Sequence, residues 1–116
     1  MKSQLKQIDN HGVKYQALQF VCPGCVAGAG REGYDGIHML PVNAEGIDVT
    51  SWTWNGDLEN PTLEPSILSH AGSWLPRCHS YLRNGVFEFL SDSTHPLVGQ
   101  HVPMPDLPDW ATQEAP

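Results

Sequence analysis

Three cysteines and a set of histidines carry most of the chemistry this chain can offer. Cys22-Pro23-Gly24-Cys25 places two thiols two residues apart on a turn opened by Pro and Gly, the usual half-site of a structural zinc. Cys78 is the only other thiol and serves as the third ligand. The fourth comes from His38, His95 or His101, and His38 is the first histidine after the cysteine pair. Competing readings are a redox dithiol and plain buried thiols. The redox reading is disfavoured because no strand–helix pattern follows Cys25, and c-type haem attachment because Val26, not His, does.

A second constellation joins His79 to Asp92. A carboxylate that orients an imidazole makes it a base, and a hydroxyl within reach then becomes a nucleophile. Ser66 is the candidate, because Ser80 lies on the opposite face of its strand from His79. His95 is an alternative base. The plain alternative is a surface histidine in a cross-strand ion pair, and for Ser66 an ordinary turn residue.

These residues need a scaffold, and its clearest signal is Asn84-Gly85. This dipeptide accepts the positive φ of a type I′ turn and is flanked by alternating apolar and polar residues. The turn pairs Arg83 with Val86 and Leu82 with Phe87. Continued, the register sets His79 opposite Leu90, Cys78 opposite Ser91 and Arg77 opposite Asp92. Cys78, Ser80, Leu82, Phe87, Phe89 and Ser91 then face inward. Arg77, His79, Tyr81, Glu88, Leu90 and Asp92 face outward.

Elsewhere the punctuation is dense, with ten prolines and eleven glycines. Residues 1–12 read as a flexible lead-in. Residues 13–20 read as a strand whose phase breaks near Ala17 or Leu18, predicting a bulge. Val26 to Gly36 reads as a loop with the charged pair Arg31-Glu32, and Gly36 to Val42 as a second strand. Val49 to Trp54 leads into Asn55-Gly56, predicting another tight hairpin. Trp52 and Trp54 share a face; core packing is one use for it, and a groove wall for substrate, with Asn55 beside it, is another. Pro61 and Pro65 hold the approach to Ser66 extended. Ser69 to Pro76 is a loop, 96–99 a turn, and 100–102 an edge strand. Residues 104–116 are a proline-rich acidic tail, draped over the domain or disordered.

At 116 residues the chain is a single domain. The fold expected is mainly β, of short antiparallel strands and hairpins over 13–103, with a zinc-ribbon-like metal staple. The net charge of −7 argues against nucleic acid as a partner, and no apolar run reaches the length of a membrane span. Three cysteines and an N-terminus without a signal-peptide core predict a cytoplasmic location.

Taken together, Cys22-Pro23-Gly24-Cys25, His38, Trp52-x-Trp54-Asn55-Gly56, Pro61-Thr62-x-x-Pro65-Ser66, Arg77-Cys78-His79-Ser80 and Asn84-Gly85-x-x-x-Phe89-Leu90-Ser91-Asp92-x-Thr94-His95 resemble a small domain family of phages and prophages. Members sometimes carry an ammonia monooxygenase label, which a chain without membrane spans does not fit. The family is similar to BubE, a serine-type peptidase encoded beside bacterial ubiquitin-like conjugation genes. The resemblance covers about residues 18–103. It implies a peptidase or isopeptidase acting on a protein or peptide, such as a ubiquitin-like tail, with Ser66, His79 and Asp92 as nucleophile, base and orienter. For a phage-encoded member the location is the host cytoplasm. Two departures stand out: the stretch between the cysteine pair and His38 is long, and position 93 is Ser where Cys is common. Two alternatives compete: a non-catalytic zinc-binding adaptor that binds a host protein through its aromatic face, and a zinc-dependent hydrolase using His79 and His95.

Overall fold

The computed structural model describes residues 1–29, 36–69 and 76–112. Arg31 and Glu32 lie outside them, as does most of the loop expected after Ser69.

Strands β1 (Ser3–Asn10), β2 (Val13–Val21) and β3 (Ile37–Val42) form an antiparallel sheet in that order. A second antiparallel sheet has the order β4 (Thr53–Trp54), β5 (Leu63–Ser69), β6 (Cys78–Arg83), β7 (Val86–Phe89), β8 (His101–Pro103). Trp52 ties the sheets together. Its N–H donates to Pro41 O, and its carbonyl accepts from Asn43 N.

The core lies where the sheets meet: Leu18, Phe20 and Val42 from the first, and Leu63, Ile67, Leu82, Phe87 and Phe89 from the second. Phe20, Leu82 and Phe87 are fully buried, each contributing about 1.5–3 kcal/mol relative to exposure.

The lead-in expected at 1–12 is β1, and Ser3 is fully buried with its hydroxyl donating to Leu58 O. The bulge expected near Ala17 is absent, since β1 and β2 pair in continuous register from Ser3↔Phe20 to Asn10↔Val13. The phase break has another origin. Residues 17–21 are buried on both faces, and part of the cover comes from the C-terminal segment, where Leu107 and Ala111 pack with Val21. That segment, expected as a tail, places Met104 in the core and forms the short helix α2 (Asp109–Thr112). Residues 23–29, expected as loop beyond the cysteine pair, form helix α1 (Pro23–Ala29). Pro23 sits at its first position, where a missing N–H costs nothing.

Asn55-Gly56 is not a two-residue hairpin turn. β4 pairs with β5 through Thr53↔Glu64 and Trp54↔Leu63, so the connection spans 55–62. Side chains close it instead: Asn55 Oδ1 accepts from Asp57 N and Thr62 N, and Asp57 Oδ1 from Glu59 N and Asn60 N. The hairpin at Asn84-Gly85 forms in the expected register from Arg83↔Val86 to Ser80↔Phe89, with both turn residues at positive φ.

Candidate functional site

Ser66 stands in an irregularity of β5. Leu63 pairs with Leu82 and Ile67 with Ser80, so Glu64, Pro65 and Ser66 together face the single residue Tyr81. Such a bulge re-aims side chains. Here it sets the Ser66 hydroxyl on the outer face while Leu63 and Ile67 stay in the core. Pro65 lacks a ladder donor, which suits it to this break. Trp52 Nε1 donates to Ser66 O at 3.3 Å and holds the main chain of the bulge.

Across the sheet, His79 Nε2 lies 2.9 Å from Ser66 Oγ. His79 Nδ1 lies 3.0 Å from both carboxylate oxygens of Asp92. A carboxylate accepts only, so Nδ1 carries the proton and Nε2 of the neutral ring accepts from the Ser66 hydroxyl. The His79 side chain is 24% exposed and that of Asp92 46%, so the relay opens to solvent at its carboxylate end.

Asp92 reaches His79 by a different route from the ladder expected. β7 stops at Phe89, and the chain turns, with Ser93 N–H donating to Leu90 O. Arg77 therefore faces Thr94, not Asp92: Thr94 N–H donates to Arg77 O, and Arg77 N–H to Thr94 Oγ1. Ser91, expected inside, is exposed because the turn lifts it off the sheet.

Ser93 takes the inward place. It is 5% exposed, and its hydroxyl closes a two-bond clamp on the His79 main chain: it accepts from His79 N and donates to His79 O, both at 3.0 Å. Sequence reading gave Ser93 no such part, since a serine in a polar turn is ordinary. The clamp exists only because the turn folds back onto β6.

On the inner face the thiols gather. Cys22 directly follows β2, Cys25 lies in α1 and Cys78 opens β6, and all are free and buried. Cys22 Sγ is 3.5 Å from Cys78 Sγ, and Cys25 Sγ is 3.3 Å from His38 Nε2 on β3. The ligand atoms of Cys22, Cys25 and His38 all lie within 4.8 Å of one another. Hydrogen bonds from Cys25, then Cys78, push the Cys22 thiol strongly down. The same contact with Cys22 pushes Cys25 up to about 12 and raises Cys78 further. Two thiols crowded around one thiolate are the donor set a dication stabilises, because it lets all three ionise. Cys22, Cys25 and His38 are a soft thiolate–imidazole set that could hold a metal ion.

The remaining candidates lie elsewhere. His95 is buried at 2% exposure, its Nδ1 accepts from Leu97 N, and it contacts neither Ser66 nor Asp92. It packs on α1 instead: a Cβ at Gly24 would come within 2.6 Å of His95 Nε2, and one at Gly28 within 2.9 Å of His95 Cβ. His101 is exposed beside Glu88. Trp52 and Trp54 pack against the core, Trp54 Nε1 donates to Asp57 O, and Asn55 closes its own loop. A cavity of about 350 Å³ is lined by Lys14, Gln16, Val42, Asn43 and Glu45 and by none of the candidate site residues. Among the described residues, no helix is long and apolar enough to cross a membrane.

A hydroxyl, an imidazole and a carboxylate in series are the geometry by which serine hydrolases are recognised on unrelated folds. The comparison with known families is narrower. The family model described as bacterial ubiquitination-like system serine protease (BubE) matches residues 2–90, and the chain belongs to that family. The match includes Ser66, His79 and the thiol cluster and stops just short of Asp92. No curated protein and no solved structure matches the chain.

Proposed function

We propose that the protein is a serine-type peptidase or isopeptidase with a structural zinc, acting on the tail of a ubiquitin-like protein. The observation that carries this reading is the relay Ser66 Oγ–His79 Nε2 at 2.9 Å and His79 Nδ1–Asp92 at 3.0 Å. In it, Ser66 Oγ attacks the scissile carbonyl as its proton passes to His79 Nε2. The imidazolium is held by Asp92, then protonates the leaving amine, and water releases the acyl group from Ser66 by the same path in reverse. Family membership supports a protein substrate from a ubiquitination-like system.

Cys22, Cys25, Cys78 and His38 would hold the zinc, which at such a site supplies folding energy and no open position for substrate. A location in the cytoplasm of a bacterial host, for a phage-encoded chain, accords with unpaired cysteines.

The test is labelling by an alkyl fluorophosphonate together with cleavage of a ubiquitin-like precursor. Wild type is labelled at Ser66 and cleaves, and Ser66→Ala does neither, its rate falling by roughly 10³-fold or more. Cleavage that survives in Ser66→Ala would overturn the reading and favour the zinc-binding adaptor or a different hydrolase.

A further inference from the structure

We infer that the substrate binds as an extended, unfolded peptide segment that adds to the second sheet as a strand along the open edge of β5, bonded through the main chain of Leu68. This rests on Ser66 being the nucleophile.

The edge itself is plain in the topology. β4 covers only Leu63 and Glu64 of β5, and among the described residues no strand flanks β5 on that side from Pro65 to Ser69. The direction of the main-chain groups follows from β6. His79 N–H donates to Ser93 Oγ, and His79 O accepts from Leu90 N, so both groups point away from β5. Leu68 is the residue opposite His79. In an antiparallel ladder it therefore belongs to a pair that exchanges no hydrogen bonds, and its own N–H and C=O point to the open edge. The carbonyl of Ser66, two residues earlier, is taken by Trp52 Nε1. Nothing among the described residues takes the Leu68 pair.

This edge is also the side from which the reaction needs its substrate. His79 lies on the β6 side of Ser66, so a carbonyl under attack approaches from the other side, over β5 and its free edge. A strand one ladder spacing away, about 4.8 Å, exchanges two bonds with Leu68 and carries its neighbouring residues past Ser66. The Leu68 side chain is 51% exposed, an apolar surface directly beside His79. It suits an apolar substrate residue there. Soluble proteins normally blunt such an edge with charge, proline or cover; here Pro65 lies ahead of the hydroxyl, residues 66–69 carry no charge, and among the described residues no strand covers Leu68. A segment whose main chain is not already paired can add to this edge without breaking a ladder of its own, which favours flexible tails and linkers.

The test compares labelling rates of the full chain by an alkyl fluorophosphonate and by an acetyl-tetrapeptide diphenyl phosphonate of Leu and Ala residues, with one amide N-methylated at a time. The peptidyl probe is expected to label faster. N-methylation should remove about tenfold of that rate at the one residue whose N–H donates to Leu68 O and little at the others. Leu68→Pro, which removes the edge N–H at a position where an edge strand tolerates proline, should lose the peptidyl advantage. Leu68→Ala should keep most of it. Equal rates for all N-methyl isomers would overturn the inference. So would a concentration-dependent dimer that protects the Leu68 amide from exchange, since a second copy would then occupy the edge. Failure of both probes to label Ser66 would instead overturn the serine-nucleophile reading, and this inference with it.

Discussion

Cys78 and His79 are consecutive in β6 and stand back to back: the thiol is buried 3.5 Å from Cys22 Sγ, and the imidazole reaches Ser66 and Asp92 on the outer face. Strand alternation alone produces this arrangement. The candidate metal cluster and the proposed catalytic relay therefore share a strand without sharing a face.

From this adjacency we expect stability and activity to fall together on metal loss. Purified protein should carry about one zinc per chain. Cys78→Ser should lose it, with a melting temperature lower by more than about 10 °C. Chelation should reduce cleavage in step with the loss of circular dichroism. Cleavage abolished by chelation with the fold intact would mean that the metal takes part in the reaction.

Asp92 should matter through the tautomer of His79. In Asp92→Asn the amide can donate to Nδ1, which moves the ring proton to Nε2 and points it at Ser66 Oγ. The rate should drop about 10²–10⁴-fold with little change in folding, measured as kcat beside a thermal melt. A variant with wild-type kcat would return His79 and Asp92 to an ordinary surface ion pair.

Ser93→Ala should unfasten the His79 main chain. Both clamp bonds vanish, leaving a donor and an acceptor of His79 without that partner, at a cost of about 1–3 kcal/mol. The loss should also be visible as weakened hydrogen-exchange protection of the His79 amide and a lower kcat. An unchanged His79 amide would refute the clamp.

His95 makes stability depend on pH. Burial, partly opposed by the negative charge of Cys22, holds its pKa below the ordinary 6.5. As pH falls through 6.5 the unfolded chain takes up a proton while the folded chain does not, so the unfolded state binds more protons and stability declines. The decline runs from 6.5 down to the folded-state value. Denaturant titrations across this window should show a shallower decline in His95→Phe than in wild type. Parallel curves would assign the acid sensitivity to other groups.

How much of this was legible beforehand differs from element to element. The β6–β7 hairpin was, because Asn84-Gly85 prescribes a turn and strand alternation then assigns Cys78 inward and His79 outward over the residues that follow. The gathering of the thiols was legible in kind, since thiols have few uses in such a chain, and His38 comes to Cys25 through the ordinary pairing of β2 with β3. Asp92 was placed beside His79 by a ladder that in fact ends early, so the contact was anticipated and its route was not.

Pattern by itself settled the mainly β class, that hairpin register and the sidedness of Cys78 and His79, because these follow from local backbone preference and a period of two. Tertiary structure alone decided the rest. β1 and the C-terminal segment gain order only by covering β2, whose two-sided burial imitates a phase break. The bulge at Ser66 exists because β5 must meet both Leu82 and Ser80 across three residues facing one. Trp52 on the Ser66 carbonyl, Ser93 on the His79 main chain and the open edge at Leu68 depend on long-range packing. Such contacts leave no periodic trace, since each joins segments whose separation along the chain is unrelated to their distance in space.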